Sequence, residues 1–237
     1  MSKIVEIFAD KSALVARAAA LIETKLLTAI TNKKPFNLAL AGGSTPKPLY
    51  ELLAKSSVPV TNLHVFWGDE RYVPPTDPQS NERMAREAWL NKGGFPSSNI
   101  HAVPTSSNDP AVDATKYEQV LLQHFGTDAP RFDVILLGMG DDGHTASLFP
   151  GTPALQVGDR LVTVGNKDGQ PRITFTVPLI NQARCVLFLV AGENKRPALA
   201  QVFAEEGDAN QYPSRLIAPA DELYWFLDAA AGEAFKT

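Results

Sequence analysis

Short apolar runs alternate with helix-patterned segments along almost the whole of this 237-residue chain, and this alternation restricts the fold more than any other feature. Strands of four to eight residues separated by helices cannot be joined as hairpins; they pair side by side through crossover connections. The pattern predicts strands over 4–9, 36–41, 63–67, 132–137, 161–164, 172–176, 185–191 and 223–227. Helices are expected over 11–30, 46–54, 81–90, 111–125, 194–205 and the final residues. Such a chain reads as α/β: a Rossmann-like, mostly parallel sheet with helices on both faces. No internal repeat, low-complexity stretch or long linker interrupts it, and the polar turn from Gly165 to Pro171 is too short to separate domains. A single domain over 1–237 is expected.

Composition enters mainly by exclusion. A formal net charge of −4 offers no basic excess to neutralise phosphates along a duplex, so no nucleic-acid partner is expected. No apolar run approaches the roughly 20 residues of a membrane span, and the N-terminus lacks the apolar core of a signal peptide. A cytoplasmic enzyme without membrane contact is the default. The one cysteine, Cys185, lies in the apolar run Cys185-Val186-Leu187-Phe188 and reads as a core residue.

In open α/β sheets the ligand lies beyond the carboxyl ends of the strands, which directs attention to four loops. Gly42-Gly43-Ser44-Thr45-Pro46 follows a buried strand and starts a helix. Its unbonded N–H groups, its hydroxyls and the positive end of the helix suit a phosphate; a tight turn capped by Ser44 or Thr45 is the plainer explanation of the same residues. Gly68-Asp69-Glu70-Arg71 places two acids and an arginine at the next strand end, where Arg71 could fork onto a phosphate or join a surface ion-pair cluster. In Gly192-Glu193-Asn194-Lys195, a lysine near a helix N-terminus opposes the dipole and is better explained by an anionic ligand, with a solvated surface lysine as the alternative. Arg172, opening another strand, is a further candidate phosphate contact with a weaker case.

The fourth loop, Gly138-Met139-Gly140-Asp141-Asp142-Gly143-His144, matches the dinucleotide fingerprint G-x-G-x-x-G after a strand. Two aspartates where a pyrophosphate would approach, and Pro150-Gly151 cutting short any following helix, argue against nucleotide binding. What remains is an imidazole at the carboxyl edge of the sheet, suited to proton transfer near neutral pH. Asp142 is its first candidate partner, with Asp69 and Glu70 left open beside it. The remaining histidines have no such setting: His64 lies in a strand, His101 near a strand edge and His124 at a helix end. No His, Cys or carboxylate set shows metal-ligand spacing, so no metal and no cofactor are expected.

Taken together, G-G-S-T-P, G-D-E-R, G-M-G-D-D-G-H-T-A-S-L-F-P-G, R-I-T-F-T and G-E-N-K resemble the 6-phosphogluconolactonase family, within the wider fold group of glucosamine-6-phosphate deaminases. The resemblance runs from about Phe36 to Leu227. Deaminases follow the D-G-H with a stretch carrying a glutamate; here Thr145-Ala146-Ser147-Leu148-Phe149-Pro150 has none, which favours hydrolysis. Asp141 stands where proline is more familiar. The resemblance implies hydrolysis of 6-phospho-D-glucono-1,5-lactone to 6-phosphogluconate in the oxidative pentose phosphate pathway, with His144 as acid–base residue. Asp142 or Asp69 would orient it, and Gly42, Gly43, Ser44, Thr45, Arg71, Lys195 and Arg172 would hold the phosphate. A monomer or weak homodimer is expected. A deaminase or isomerase and a non-catalytic sugar-phosphate sensor stay open as alternatives.

Overall fold

The computed structural model describes residues 2–126 and 129–235. Nine strands are found among them: β1 (Ser2–Phe8), β2 (Phe36–Leu40), β3 (Leu63–Trp67), β4 (Asp69–Arg71), β5 (Val134–Leu137), β6 (Val162–Lys167), β7 (Gln170–Phe175), β8 (Cys185–Val190) and β9 (Glu222–Asp228). Six form one sheet in the order β1-β9-β8-β5-β2-β3, and every pairing in it is parallel. The strands β2, β5 and β8 are buried at every residue, as their continuous apolar runs demand when helices cover a parallel sheet.

Seven α-helices accompany them: α1 (Lys11–Thr31), α2 (Pro46–Leu53), α3 (Asn81–Ala85), α4 (Pro110–Phe125), α5 (Val177–Asn181), α6 (Arg196–Phe203) and α7 (Ala229–Gly232). Helix α1 starts where Asp10 accepts a hydrogen bond from the Ala13 N–H at 2.8 Å, an N-cap that satisfies one of the orphaned first-turn donors. Its buried side, including Leu14, Ala18, Ile22 and Leu26, recurs at the three- and four-residue spacing of one helical face. Among the described residues no helix is long and apolar enough to cross a membrane.

Two expectations need correction. The runs near 161–164 and 172–176 do not join the parallel sheet. With β4 they build a separate antiparallel sheet, β4-β7-β6, because β6 and β7 are joined by a tight turn after Lys167 that cannot make a parallel crossover. The single helix expected over 81–90 is α3 followed by a π turn at Arg86–Leu90.

The order of the main sheet fixes where a site can form. From β2 the chain moves outward to β3, then returns to place β5 on the other side of β2. That reversal opens a crevice beyond the carboxyl ends of β2 and β5. The loops that leave those two ends are the ones carrying Gly42–Thr45 and Gly138–His144.

Candidate active site

Two buried tyrosines fix the strand ends from which the site loops depart. The Tyr50 hydroxyl donates to the Ala41 carbonyl at 2.7 Å and accepts from the Ala41 N–H at 3.0 Å. Tyr117 does the same at Trp67, at 3.0 and 2.9 Å. Each closes a backbone donor and acceptor that the end of a ladder would otherwise leave unpaired. Nothing in the sequence marks either tyrosine, since each reaches its strand from a separate helix, Tyr50 from α2 and Tyr117 from α4.

Beyond these ends lies a cavity of about 450 Å³ lined by residues of all four loops, including Gly43, Arg71, His144, Arg172 and Lys195. Gly42, Ser44, Thr45 and Asp69 also line it, so the structure brings every candidate site residue except Asp142 and Glu70 to the wall of one cavity. Asp142 instead stands behind the imidazole. Its carboxylate accepts from His144 Nδ1 at 2.5 Å and from the His144 backbone N–H at 3.1 Å.

That contact fixes the tautomer: Nδ1 carries the proton, and Nε2 is left as the basic nitrogen. Burial lowers the His144 pKa from its ordinary 6.5, and Asp142 opposes the shift by favouring the imidazolium. For Asp142, burial raises the carboxyl, but the His144 N–H and ring outweigh it and hold it below the usual aspartate range. The pair fits only because residue 140 is glycine. A Cβ there would lie 2.1 Å from His144 Nδ1 and 2.5 Å from Asp142 Oδ1. Ala146, two residues on, is held at φ 48°, a left-handed conformation that a non-glycine residue adopts at a cost.

The cationic end is assembled by register. Arg71 on β4 lies directly opposite Arg172 on β7, and like charges in that position destabilise a bare sheet. The Nε atoms of both are buried without a hydrogen-bond partner, and neither arginine forms an ion pair among the described residues. Arg71 does donate from Nη1 to the Gln79 carbonyl at 2.6 Å. Burial and the neighbouring Arg71 lower the Arg172 pKa. The buried Phe149 ring ties this end to the histidine: its centroid is 4.6 Å from that of His144 and 5.7 Å from the Arg172 guanidinium. Two unmatched cations beside a Gly-rich helix N-terminus are an arrangement completed by an anion.

Other candidates are placed differently from the sequence reading. Thr45 occupies the N-cap position of α2 but its hydroxyl makes no capping bond, so the plainer reading of that residue as a cap does not hold. Gly42 is instead required by a close approach, since a Cβ there would fall 1.9 Å from the side-chain oxygen of Asn81. Lys195 does face an anion, but the anion belongs to the chain: it pairs with Asp141 at 2.5 Å, and Asn194 donates to the same carboxylate at 2.8 Å. Asp69 makes no hydrogen bond to His144. It is buried and accepts from the Ser147 hydroxyl at 2.7 Å, tying the β4 sheet to the histidine loop.

Glu70 turns away from the cavity. It accepts from the backbone N–H groups of Arg71, Asn81 and Glu82, each at 2.7 Å, and from the Ser80 hydroxyl at 3.1 Å. Burial still pushes its carboxyl up to about 6. It is a cap for α3, which sequence spacing alone does not reveal across ten residues of loop. Lys167, the last residue of β6, also lines the cavity; the sequence shows it only as part of a polar turn.

Remote from this cavity, three histidines without ligand spacing in the sequence come together. His64, His101 and His124, separated in sequence, converge with ligand nitrogens within 4.8 Å of one another.

A neutral imidazole oriented by a carboxylate, beside an anion-binding crevice at a sheet switch point, defines an α/β enzyme acting on an anionic small molecule. Comparison with known proteins narrows the class. Residues 9–225 match the family model described as glucosamine-6-phosphate isomerases/6-phosphogluconolactonase. A 6-phosphogluconolactonase of Nostoc sp. is 62% identical over 235 residues, covering 98% of each chain. The crystal structure of 6-phosphogluconolactonase from Leishmania guyanensis superposes with a TM-score of 0.89 at 29% identity, covering all of both chains. A monomeric glucosamine-6-phosphate deaminase shares the fold, with a TM-score of 0.82 at 19% identity over 97% of this chain and 99% of its own. The chain belongs to the glucosamine-6-phosphate isomerase/6-phosphogluconolactonase family.

Proposed function

We propose that the chain hydrolyses 6-phospho-D-glucono-1,5-lactone to 6-phosphogluconate, with His144 as general base and then general acid. The observation that carries this reading is the 2.5 Å contact between Asp142 and His144 Nδ1, which leaves Nε2 as the free base of a ring lining the cavity. The lowered His144 pKa keeps that nitrogen unprotonated at neutral pH.

Nε2 takes a proton from water as the water oxygen adds to the lactone carbonyl carbon, and the carbonyl oxygen takes up the negative charge. Collapse of the tetrahedral intermediate breaks the bond to the ring oxygen, and Nε2–H returns its proton to that oxygen as it departs. The product acid then ionises, releasing one proton to solvent. The phosphate is assigned to the Gly42–Thr45 loop with Arg71 and Arg172. Lys195 comes second, because Asp141 already matches its charge. Asp69 is a positioning residue, holding the histidine loop through Ser147. The reading takes 1–237 as one domain acting without metal or cofactor, in the cytoplasm, as a monomer or weak homodimer.

His144→Ala should lower kcat about 10²- to 10⁴-fold, the share of one acid–base group, measured as acid release from the lactone in a pH-stat. Ammonia release from glucosamine 6-phosphate, run beside it, separates hydrolase from deaminase. Unchanged acid release in His144→Ala, or ammonia in place of acid from the wild-type chain, overturns the assignment.

A further inference from the structure

The convergence of His64, His101 and His124 has no part in the reaction proposed above. His64 is the second residue of β3, at the opposite end of that strand from the Gly68 loop. His101 is docked beside it by its backbone N–H, which donates to the Val65 carbonyl at 2.8 Å. His124 comes from the last turn of α4. The rings are half-buried against one another, with centroids 5.4, 4.5 and 4.8 Å apart. Phe66 stacks on His101 at 4.3 Å with its plane only 7° away.

We propose that these three imidazoles form a binding site for a divalent transition-metal ion of the zinc class, separate from the catalytic cavity. Two ligand positions are already set. His64 Nδ1 and His101 Nε2 face each other at 3.2 Å, and two nitrogens about 2.0–2.1 Å from a tetrahedral zinc ion lie roughly 3.3 Å apart. The third ring is oriented as metal-bound histidines usually are, by a carbonyl on its far nitrogen. His124 Nε2–H donates to the Asn37 side-chain oxygen at 2.7 Å, leaving Nδ1 as the lone-pair donor. His124 completes the set, whose ligand nitrogens all lie within 4.8 Å of one another, and water fills the fourth position.

The protonation state also suits a cation. Burial, together with the neighbouring rings, pushes His101 and His124 down to about 4, and burial lowers His64 as well. All three are therefore neutral at pH 7. In the neutral pair one of the two facing nitrogens donates to the other, so a single proton moves to the outward nitrogen of its own ring as the metal enters, and binding at neutral pH releases no net proton. Three imidazoles without a thiolate favour zinc, copper, nickel or cobalt over magnesium or calcium.

The test is a Zn²⁺ titration by calorimetry with the full chain carrying His144→Ala, so that the catalytic imidazole contributes nothing. One ion per chain is expected, with the same apparent enthalpy in buffers of different ionisation enthalpy. His101→Gln and His124→Gln, added singly to that background, should each weaken binding at least tenfold, since even outer partners of a site are worth about 10- to 100-fold. X-ray absorption at the zinc edge on the one-to-one complex should show three imidazole nitrogens at about 2.0–2.1 Å, and this measurement needs neither glutamine variant to fold. No uptake from an excess of zinc over protein, uptake indifferent to both glutamine changes, or a shell with fewer than three imidazoles overturns the proposal.

Discussion

Gly140→Ala puts the catalytic assignment under its sharpest test, because it alters no functional group. The added Cβ would lie 2.1 Å from His144 Nδ1, 2.2 Å from Cε1 and 2.5 Å from Asp142 Oδ1. Ordinary van der Waals contact begins near 3.4 Å, so the ring must retreat by roughly 1 Å and its bond to Asp142 must break or bend. A misplacement of that size costs about 10²-fold in rate, or roughly 2.7 kcal/mol of barrier. Folding should be nearly unaffected. Gly140 is not among the glycines with positive φ, and the atoms in the way are side-chain ends with some solvent around them, His144 at 20% and Asp142 at 48% exposure. The assay pairs kcat for acid release with a thermal melt. A loss of about 10²-fold with an unchanged melting temperature is expected, and the loss should be much smaller in a His144→Ala background, where the pair no longer exists. Wild-type kcat in a folded Gly140→Ala protein would refute the claim that the His144–Asp142 geometry drives the reaction.

Further outcomes follow from the same contacts. The pH profile of kcat/KM should rise through an inflection below 6.5, because burial depresses the His144 pKa and the unprotonated ring is the active form; Asp142→Asn should move that inflection lower still, as it removes the charge that favours the imidazolium. Arg172→Met removes one of two opposed guanidiniums, so KM should rise about 10- to 100-fold, the worth of a hydrogen bond to a charged group, while the ligand-free melting temperature holds or increases. Glu70→Gln replaces one acceptor oxygen by a donor facing backbone N–H groups; a loss of about 3 kcal/mol should lower the melting temperature by about 6–12 °C, read by calorimetry.

The sequence by itself determined the strands of the parallel sheet, the loops that end them and the histidine with its first candidate partner. Buried parallel strands need continuous apolar runs, and β2, β5 and β8 carry them without tertiary help. Asp142 and His144 lie two residues apart in one glycine-rich loop, so their contact is short-range and legible from spacing. The other contacts join segments far apart in sequence, and no local pattern encodes them. Arg71 meets Arg172 only through the register of β4 on β7, and Lys195 meets its anion in Asp141 across 54 residues. Glu70, which by composition is as good a catalytic acid as Asp69, is turned into a helix cap by the path of the loop beyond it. His64, His101 and His124 look unrelated until α4 and the segment after Ile100 dock beside β3. Local chemistry singled out the candidate catalyst; packing, which alone fixes register and the approach of distant elements, decided what surrounds it.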